Sequence, residues 1–170
     1  MAESDITYKI ILLELMERAD FAMSNSQLTN FFLDQQYTDY FTVQKSISRL
    51  EETGLATSQS SHGNTIYSIT DEGSRTLELF RERITPAIKE DMKHYFELNQ
   101  IEMKKDSQVF ADYYHATGGG YLVHVKCKEN NQNIMDFTFR VPSKDQAEAI
   151  CNNWRVHYED VYEKLMDILV

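Results

Sequence analysis

Apolar residues crowd the stretch from Ile6 to Ala19, where Ile10, Ile11, Leu12, Leu13, Leu15 and Met16 lie so close together that a helix built from them is apolar around much of its circumference. Such a helix is expected to be central to its domain and to lend part of its surface to a second subunit. Beyond it the pattern opens out. Ser24 or Ser26 can cap a second, short helix carrying Leu28, Phe31, Phe32 and Leu33. Gln36-Tyr37-Thr38 then reads as a turn, with Thr38 as N-cap of a third helix running to about Thr53. On that helix Tyr40, Val43, Ile47 and Leu50 recur at three- and four-residue spacing and predict one inward stripe. Gly54 supplies the left-handed stop.

The period then changes to two. Short alternating runs at Leu55–Ser60 and Thr65–Thr70 flank Ser61-His62-Gly63-Asn64, which has the chemistry of a hairpin tip. Thr70-Asp71-Glu72 opens a fourth helix with Leu77, Leu79, Phe80 and Ile84, and Thr85-Pro86 starts a fifth that fades near Asn99. Ile101, Met103, Val109, Ala111 and Tyr113 then alternate. So do Tyr121, Val123, Val125 and Cys127, and again Met135, Phe137, Phe139 and Val141. Gly118-Gly119-Gly120 and Asn130-Asn131-Gln132-Asn133 are the turns between them. Ser143 caps a last helix on which Ala147, Cys151, Trp154, Tyr158, Val161, Leu165 and Ile168 form the inner stripe. The fold class is therefore α+β, in two domains. Residues 1–84 hold the helices and the first hairpin, and residues 85–170 a three-stranded antiparallel sheet covered by a long helix.

Composition narrows the function. The chain has 170 residues and a net charge of −10, of which residues 1–70 carry −5, residues 71–106 carry −2 and residues 107–170 carry −3. No region is basic, which weighs against phosphate binding unless the few cations share one surface. The start, Met1-Ala2-Glu3-Ser4-Asp5, lacks the basic character of a leader peptide, and Glu14 interrupts an apolar run far shorter than a membrane span. With two cysteines in otherwise apolar patterns, a cytoplasmic protein without membrane contact is expected.

Helix, helix, turn, helix, hairpin, helix is the order of a winged helix-turn-helix domain. In Val43-Gln44-Lys45-Ser46-Ile47-Ser48-Arg49-Leu50-Glu51-Glu52-Thr53-Gly54-Leu55 a polar-faced helix ends in Gly-Leu and enters a strand. In Ile66-Tyr67-Ser68-Ile69-Thr70-Asp71-Glu72-Gly73 a strand passes straight into a helix. These junctions resemble those of the MarR- and PadR-like bacterial transcriptional regulators. The runs Asn25-Ser26-Gln27-Leu28-Thr29, Tyr37-Thr38-Asp39-Tyr40-Phe41-Thr42, Ala111-Asp112-Tyr113-Tyr114 and Cys151-Asn152-Asn153-Trp154 extend the likeness to an uncharacterised winged-helix family of Gram-positive bacteria. The resemblance implies a DNA-binding regulator and nothing finer.

With the stripe of the third helix turned inward, its opposite face presents Phe41, Thr42, Gln44, Lys45, Ser48, Arg49 and Glu52. Thr, Gln, Lys, Ser and Arg are the side chains that bond base edges and phosphates, so Thr42, Gln44, Lys45, Ser48 and Arg49 are the candidates for a major groove. His62 and Asn64 are the candidates from the wing. The plainer alternative makes Lys45 and Arg49 a solvated face. A wing without Arg or Lys predicts weak, salt-sensitive binding by each protomer, raised by homodimerisation across two half-sites of an operator. The rival function is a winged helix that binds protein rather than DNA. A positive stripe around Lys45, Arg49 and Arg75 would favour DNA, and an acidic third helix a protein.

The second half shows no nucleophile paired with a base, so no enzyme activity, cofactor or metal is expected. Gly118-Gly119-Gly120 lacks the Lys-Ser/Thr of a phosphate loop. His115 and His124 could approach across neighbouring strands, and Cys127 and Cys151 could meet between sheet and helix, but structural roles explain both pairs. The aromatic residues Tyr113, Tyr114, Tyr121, Phe137, Phe139, Trp154 and Tyr158 are core, or else line a small-molecule effector pocket between sheet and helix. Tyr162, Met166 and Leu169 form a second apolar edge on the last helix. That edge, like the first helix, is a candidate dimer surface.

Overall fold

Seven consecutive residues of the first helix, Ile10 to Met16, are buried, Glu14 among them. That helix, α1 (Glu3–Arg18), is surrounded by other elements of its own chain, which explains an apolar character that exceeds one stripe. The share of its surface expected to meet another subunit is therefore already covered. Glu14 is accommodated because its carboxylate accepts from Arg18 Nε at 2.8 Å and from Arg81 Nε at 3.0 Å. The computed structural model describes residues 3–61, 64–130 and 132–170, and leaves the side chains of Ser61, Asp106 and Ser107 aside. The chain is α+β and divides into two units, residues 3–60 with 64–107 and Gln108–Val170.

In the first unit α1 is followed by β1 (Met23–Ser24), α2 (Asn25–Asp34), α3 (Tyr40–Glu52), β2 (Ala56–Ser61), β3 (Asn64–Ile69), α4 (Asp71–Phe80), a 3-10 turn (Arg81–Arg83) and α5 (Pro86–Gln108). Ser24 caps α2 through a reciprocal box. Its Oγ accepts from Gln27 N–H at 3.1 Å, and Gln27 Oε1 accepts from Ser24 N–H at 2.9 Å. The cap of α3 is Asp39, one residue later than the expected Thr38, because it is the Asp39 carboxylate that reaches Thr42 N–H, at 2.9 Å. Backbone donation from Thr42 holds that carboxyl below the usual aspartate range.

The other end of α3 closes as a Schellman motif on Gly54 (φ +71°), with Leu55 N–H donating to Leu50 O at 2.9 Å and Gly54 N–H to Glu51 O at 3.0 Å. The junctions then interlock. Thr70 donates through Oγ1 to Gly54 O at 2.7 Å, and the same oxygen accepts from Gly73 N–H at 3.0 Å to cap α4. β3 lies between β2 and β1, an order the sequence pattern could not reveal because β1 is only two residues long. Its pairing is antiparallel, Met23 opposite Tyr67 and Ser24 opposite Ile66.

Several expectations change here. Tyr40 does not belong to the inward stripe of α3: it is 51% exposed, and Ser46 is buried beside Val43, Ile47 and Leu50. On α4 only Leu77 of the apolar residues is buried. Leu79 and Phe80 are exposed, and Ile84 enters the core from beyond the 3-10 turn. The fifth helix does not fade near Asn99. Met92, Tyr95, Asn99 and Met103 keep helical spacing, and the three apolar ones are buried in the first core. Ile101, expected to alternate with Met103 on a strand, is an exposed helical residue. The compact units consequently part near Gln108, and the boundary expected at 84/85 falls inside the first unit.

The second unit contains β4 (Val109–His115), β5 (Tyr121–Glu129) and β6 (Gln132–Val141) in that order, antiparallel throughout, followed by α6 (Lys144–Leu169). Ser143 caps α6 as expected. One face of the sheet supplies Ala111, Tyr113, Val123, Val125, Cys127 and Met135 to a core closed by Ala147, Cys151 and Trp154 of α6. The expected inner stripe of α6 continues, half-buried, through Tyr158, Val161 and Leu165, but Ile168 is exposed. Phe139 is also 43% exposed, so the third strand's pattern runs past the area that α6 covers. Among the described residues no helix is long and apolar enough to cross a membrane.

Candidate functional site

Burial of Val43, Ser46, Ile47 and Leu50 fixes which side of α3 faces out. Residues spaced at i, i+4, i+7 and i+11 fall nearly on one line of a helix, so Phe41, Lys45, Ser48 and Glu52 run along the middle of the outward side. All four are exposed, Phe41 by 81%. Arg49 flanks this line and Thr42 lies further round, its Oγ1 donating to Asp39 Oδ2 at 3.2 Å. Among the described residues Lys45 has no ion-pair partner. Arg49 does: its Nη1 lies 2.9 Å from Glu52 Oε2, both side chains being more than half exposed. Arg75 on α4 is likewise 3.4 Å from Glu72. In water such i, i+3 pairs are weak and exchange readily, so each arginine can be taken over by a phosphate.

Gln44 is placed differently from what its sequence position suggests. Its side chain turns toward α2, accepting from Asn25 Nδ2 at 2.8 Å and donating to Asn25 Oδ1 at 3.0 Å and Thr29 Oγ1 at 2.9 Å. It is half-buried and fixes the angle between α2 and α3. Asn64 is half-buried at the start of β3. His62 lies outside the described residues. The structure thus gathers Thr42, Lys45, Ser48 and Arg49 on one surface and draws Gln44 off it. Phe41, the most exposed aromatic side chain of the described residues, was legible as outward-facing but not as a candidate contact.

In the second unit the sequence suggests two pairs, His115 with His124 and Cys127 with Cys151. Facing residues of β4 and β5 share a side of the sheet, and His115 is opposite Tyr121 while His124 is opposite Asp112. The parity puts the two histidines on opposite faces, so they cannot approach each other as the strand proximity had suggested. His115 instead lies against the Tyr121 ring, centroids 4.6 Å apart, and His124 Nε2 is 2.6 Å from Asp136 Oδ1. Cys127 and Cys151 are both buried free thiols, each pushed above its ordinary pKa by burial. A thiol so displaced stays protonated and unreactive at neutral pH. The glycine run forms the β4–β5 turn with positive φ at all three residues. A side cleft of about 390 Å³ opens beside the β5–β6 hairpin, lined by residues that include Cys127, Met135, Tyr158, Tyr162, Glu129 and Glu163.

No curated protein and no solved structure matches the chain. A family model described as a domain of unknown function (DUF4364) matches residues 8–169, which cover most of both units and every candidate side chain named above. The chain belongs to this domain-of-unknown-function family, DUF4364.

Proposed function

We propose that the first unit is a winged helix-turn-helix domain that binds duplex DNA, with α3 in the major groove, and that the protein regulates transcription. The observation that carries this is the surface of α3. The order α1, β1, α2, α3, β2, β3, α4 leaves that helix with one side buried and the other open, carrying Lys45, Ser48 and Arg49 side by side. A helix held that way by α1 and α2 has the shape the major groove admits. The hairpin β2–β3 is the corresponding wing, poor in cations, so affinity for phosphate rests mainly on α3. In this proposal the protein is a cytoplasmic homodimer joined through its second unit, and the cleft beside Tyr158 and Tyr162 holds an effector.

A second reading, a protein-binding winged helix, is favoured by one specific observation: Arg49 and Arg75 each have a carboxylate within reach. One experiment separates them. Genomic fragments are captured at low salt with the full chain and with Lys45→Ala/Arg49→Ala, both checked for folding by circular dichroism. The DNA proposal expects sequence-selective recovery by the native chain and a loss of about tenfold or more in the variant. Equal recovery, or none from either protein, overturns it in favour of the protein-binding module.

A further inference from the structure

Phe41 is the feature of α3 that phosphate binding leaves unexplained. It stands at the first turn, 81% exposed, and heads the line that continues through Lys45 and Ser48. Tyr40 beside it is 51% exposed and meets the Phe41 ring edge-on, centroids 5.6 Å apart, so the pair forms an apolar tip. Among the described residues no hydrophobic neighbour buries that tip, and the next turn carries a lysine without a carboxylate partner.

Resting on the DNA reading above, we infer that Phe41 is a specificity-determining residue that reads thymine by its 5-methyl group. Three points lead to this. A helix lying in the major groove presents its N-terminal residues to the base edges, and Phe41 is the second residue of α3. Thymine is the one base that offers an apolar group in that groove, and a phenyl ring is a suitable partner for it. Lys45, one turn further on the same line, supplies the positive charge that draws the flanking phosphates to this end of the helix. Asp39, the nearest acid in sequence, caps this same turn, and its carboxylate is occupied by Thr42 N–H and Oγ1 at 2.9 and 3.2 Å. Glu52 ends the line roughly 16 Å away along the axis. The occupant of this surface is therefore duplex DNA with thymine where the first turn of α3 meets the groove.

The test isolates the methyl group. Randomised duplexes are enriched by binding to the full-length protein at low salt. The enriched pool is then resynthesised with thymidine or with deoxyuridine, which keeps every hydrogen-bonding group and removes only the methyl. The native protein should bind the uracil pool more weakly, by about fourfold for each methyl buried. Phe41→Ala should bind both pools alike, at the level the native protein shows for uracil. Equal affinity of the native protein for the two pools overturns the inference and leaves DNA binding standing. An undiminished preference in Phe41→Ala, or equal further losses on both pools, overturns it too. Failure to enrich any duplex overturns the DNA reading itself, and a protein ligand captured through Tyr40 and Phe41 would then explain the tip.

Discussion

The side-chain amides of Asn25 and Gln44 face each other head-on, each donating to the other, at 2.8 and 3.0 Å. This pair joins the first residue of α2 to the middle of α3. It belongs to a small polar network in which Gln44 also donates to Thr29 Oγ1, and Thr29 is buried. A residue of a type that reads bases is here spent on the angle between two helices. Gln44→Ala is expected to lower unfolding free energy by about 1–2 kcal/mol, since it strands polar groups that are partly out of water. Urea titration measures this. A double-mutant cycle with Asn25→Ala should return a coupling of about 1 kcal/mol. An unchanged midpoint would mean the amides are free in solution and available to a ligand.

The case of Gln44 marks where sequence patterns stop being informative. Periodicity identified all but the shortest elements, because a buried stripe at spacing three and four, or two, is the direct imprint of a covered face. It failed where two periods coincide. Met103 fits both a helix carrying Met92, Tyr95 and Asn99 and a strand carrying Ile101, and only the packing of the first core decides between them. It failed also where the element is too short for any period, as in β1. For the candidate site, Lys45, Ser48 and Arg49 were legible because position on a helix follows from the inward stripe. The turning of Gln44 to α2, the burial of Ser46 and the exposure of Tyr40 were not. They depend on long-range neighbours, and the Ser46 hydroxyl is satisfied within α3 by Thr42 O at 2.9 Å.

Gly73 poses a conflict between propensity and contact. It is the third residue of α4, where alanine is ordinarily better than glycine by about 1 kcal/mol. A Cβ there would sit 2.1 Å from Leu55 O. That carbonyl cannot withdraw freely, because it accepts from Thr70 N–H at 3.1 Å in the junction that ties β3 to the end of α3. The clash should win, and Gly73→Ala should be destabilising by about 2 kcal/mol. Thermal unfolding followed by circular dichroism gives the sign directly. A stabilised variant would show that the junction yields at little cost.

Two tyrosines make the first unit sensitive to alkali. Tyr37 is pushed up to about 12 by burial, its hydrogen bond to Asp91 and the charge of that carboxylate. Tyr95 is pushed up to about 12 by burial and the charge of Asp34, and its hydroxyl donates to Gln27 O at 2.7 Å. Both phenols are therefore favoured in the neutral form when folded. Between pH 10 and 12 the native chain retains protons that the unfolded chain, with ordinary phenols, has released, so stability must fall as pH rises through this window. Below pH 10 neither group contributes a slope. Urea midpoints are expected to drop between about pH 10 and about pH 12, and the drop should shrink in Tyr37→Phe. The buried thiols act in the same direction but belong to the second unit, so the midpoint is best read from a probe placed in α2 or α5. A flat profile over this range would mean that the two hydroxyls are not held as described.

The last helix offers a direct test of the proposed homodimer. Tyr162 and Met166 are 41% and 43% exposed, Leu169 is 74% exposed, and the three are spaced to share one edge of α6 outside the stripe that covers the sheet. The first helix was the other candidate for such contact, yet its apolar residues are consumed inside its own unit. If two copies join, this edge is where they have apolar surface left to bury. Met166→Glu with Tyr162→Glu should then convert the protein to monomers in sedimentation equilibrium. Circular dichroism should stay unchanged, because neither side chain contributes to the buried core. Under the proposed DNA reading, capture of DNA should weaken in the same variant, since each protomer alone would hold few phosphates and two linked half-sites multiply the affinity. Dimers that survive both substitutions would place the contact on another surface. Monomeric variants that retain full DNA capture would separate the second unit from DNA binding altogether.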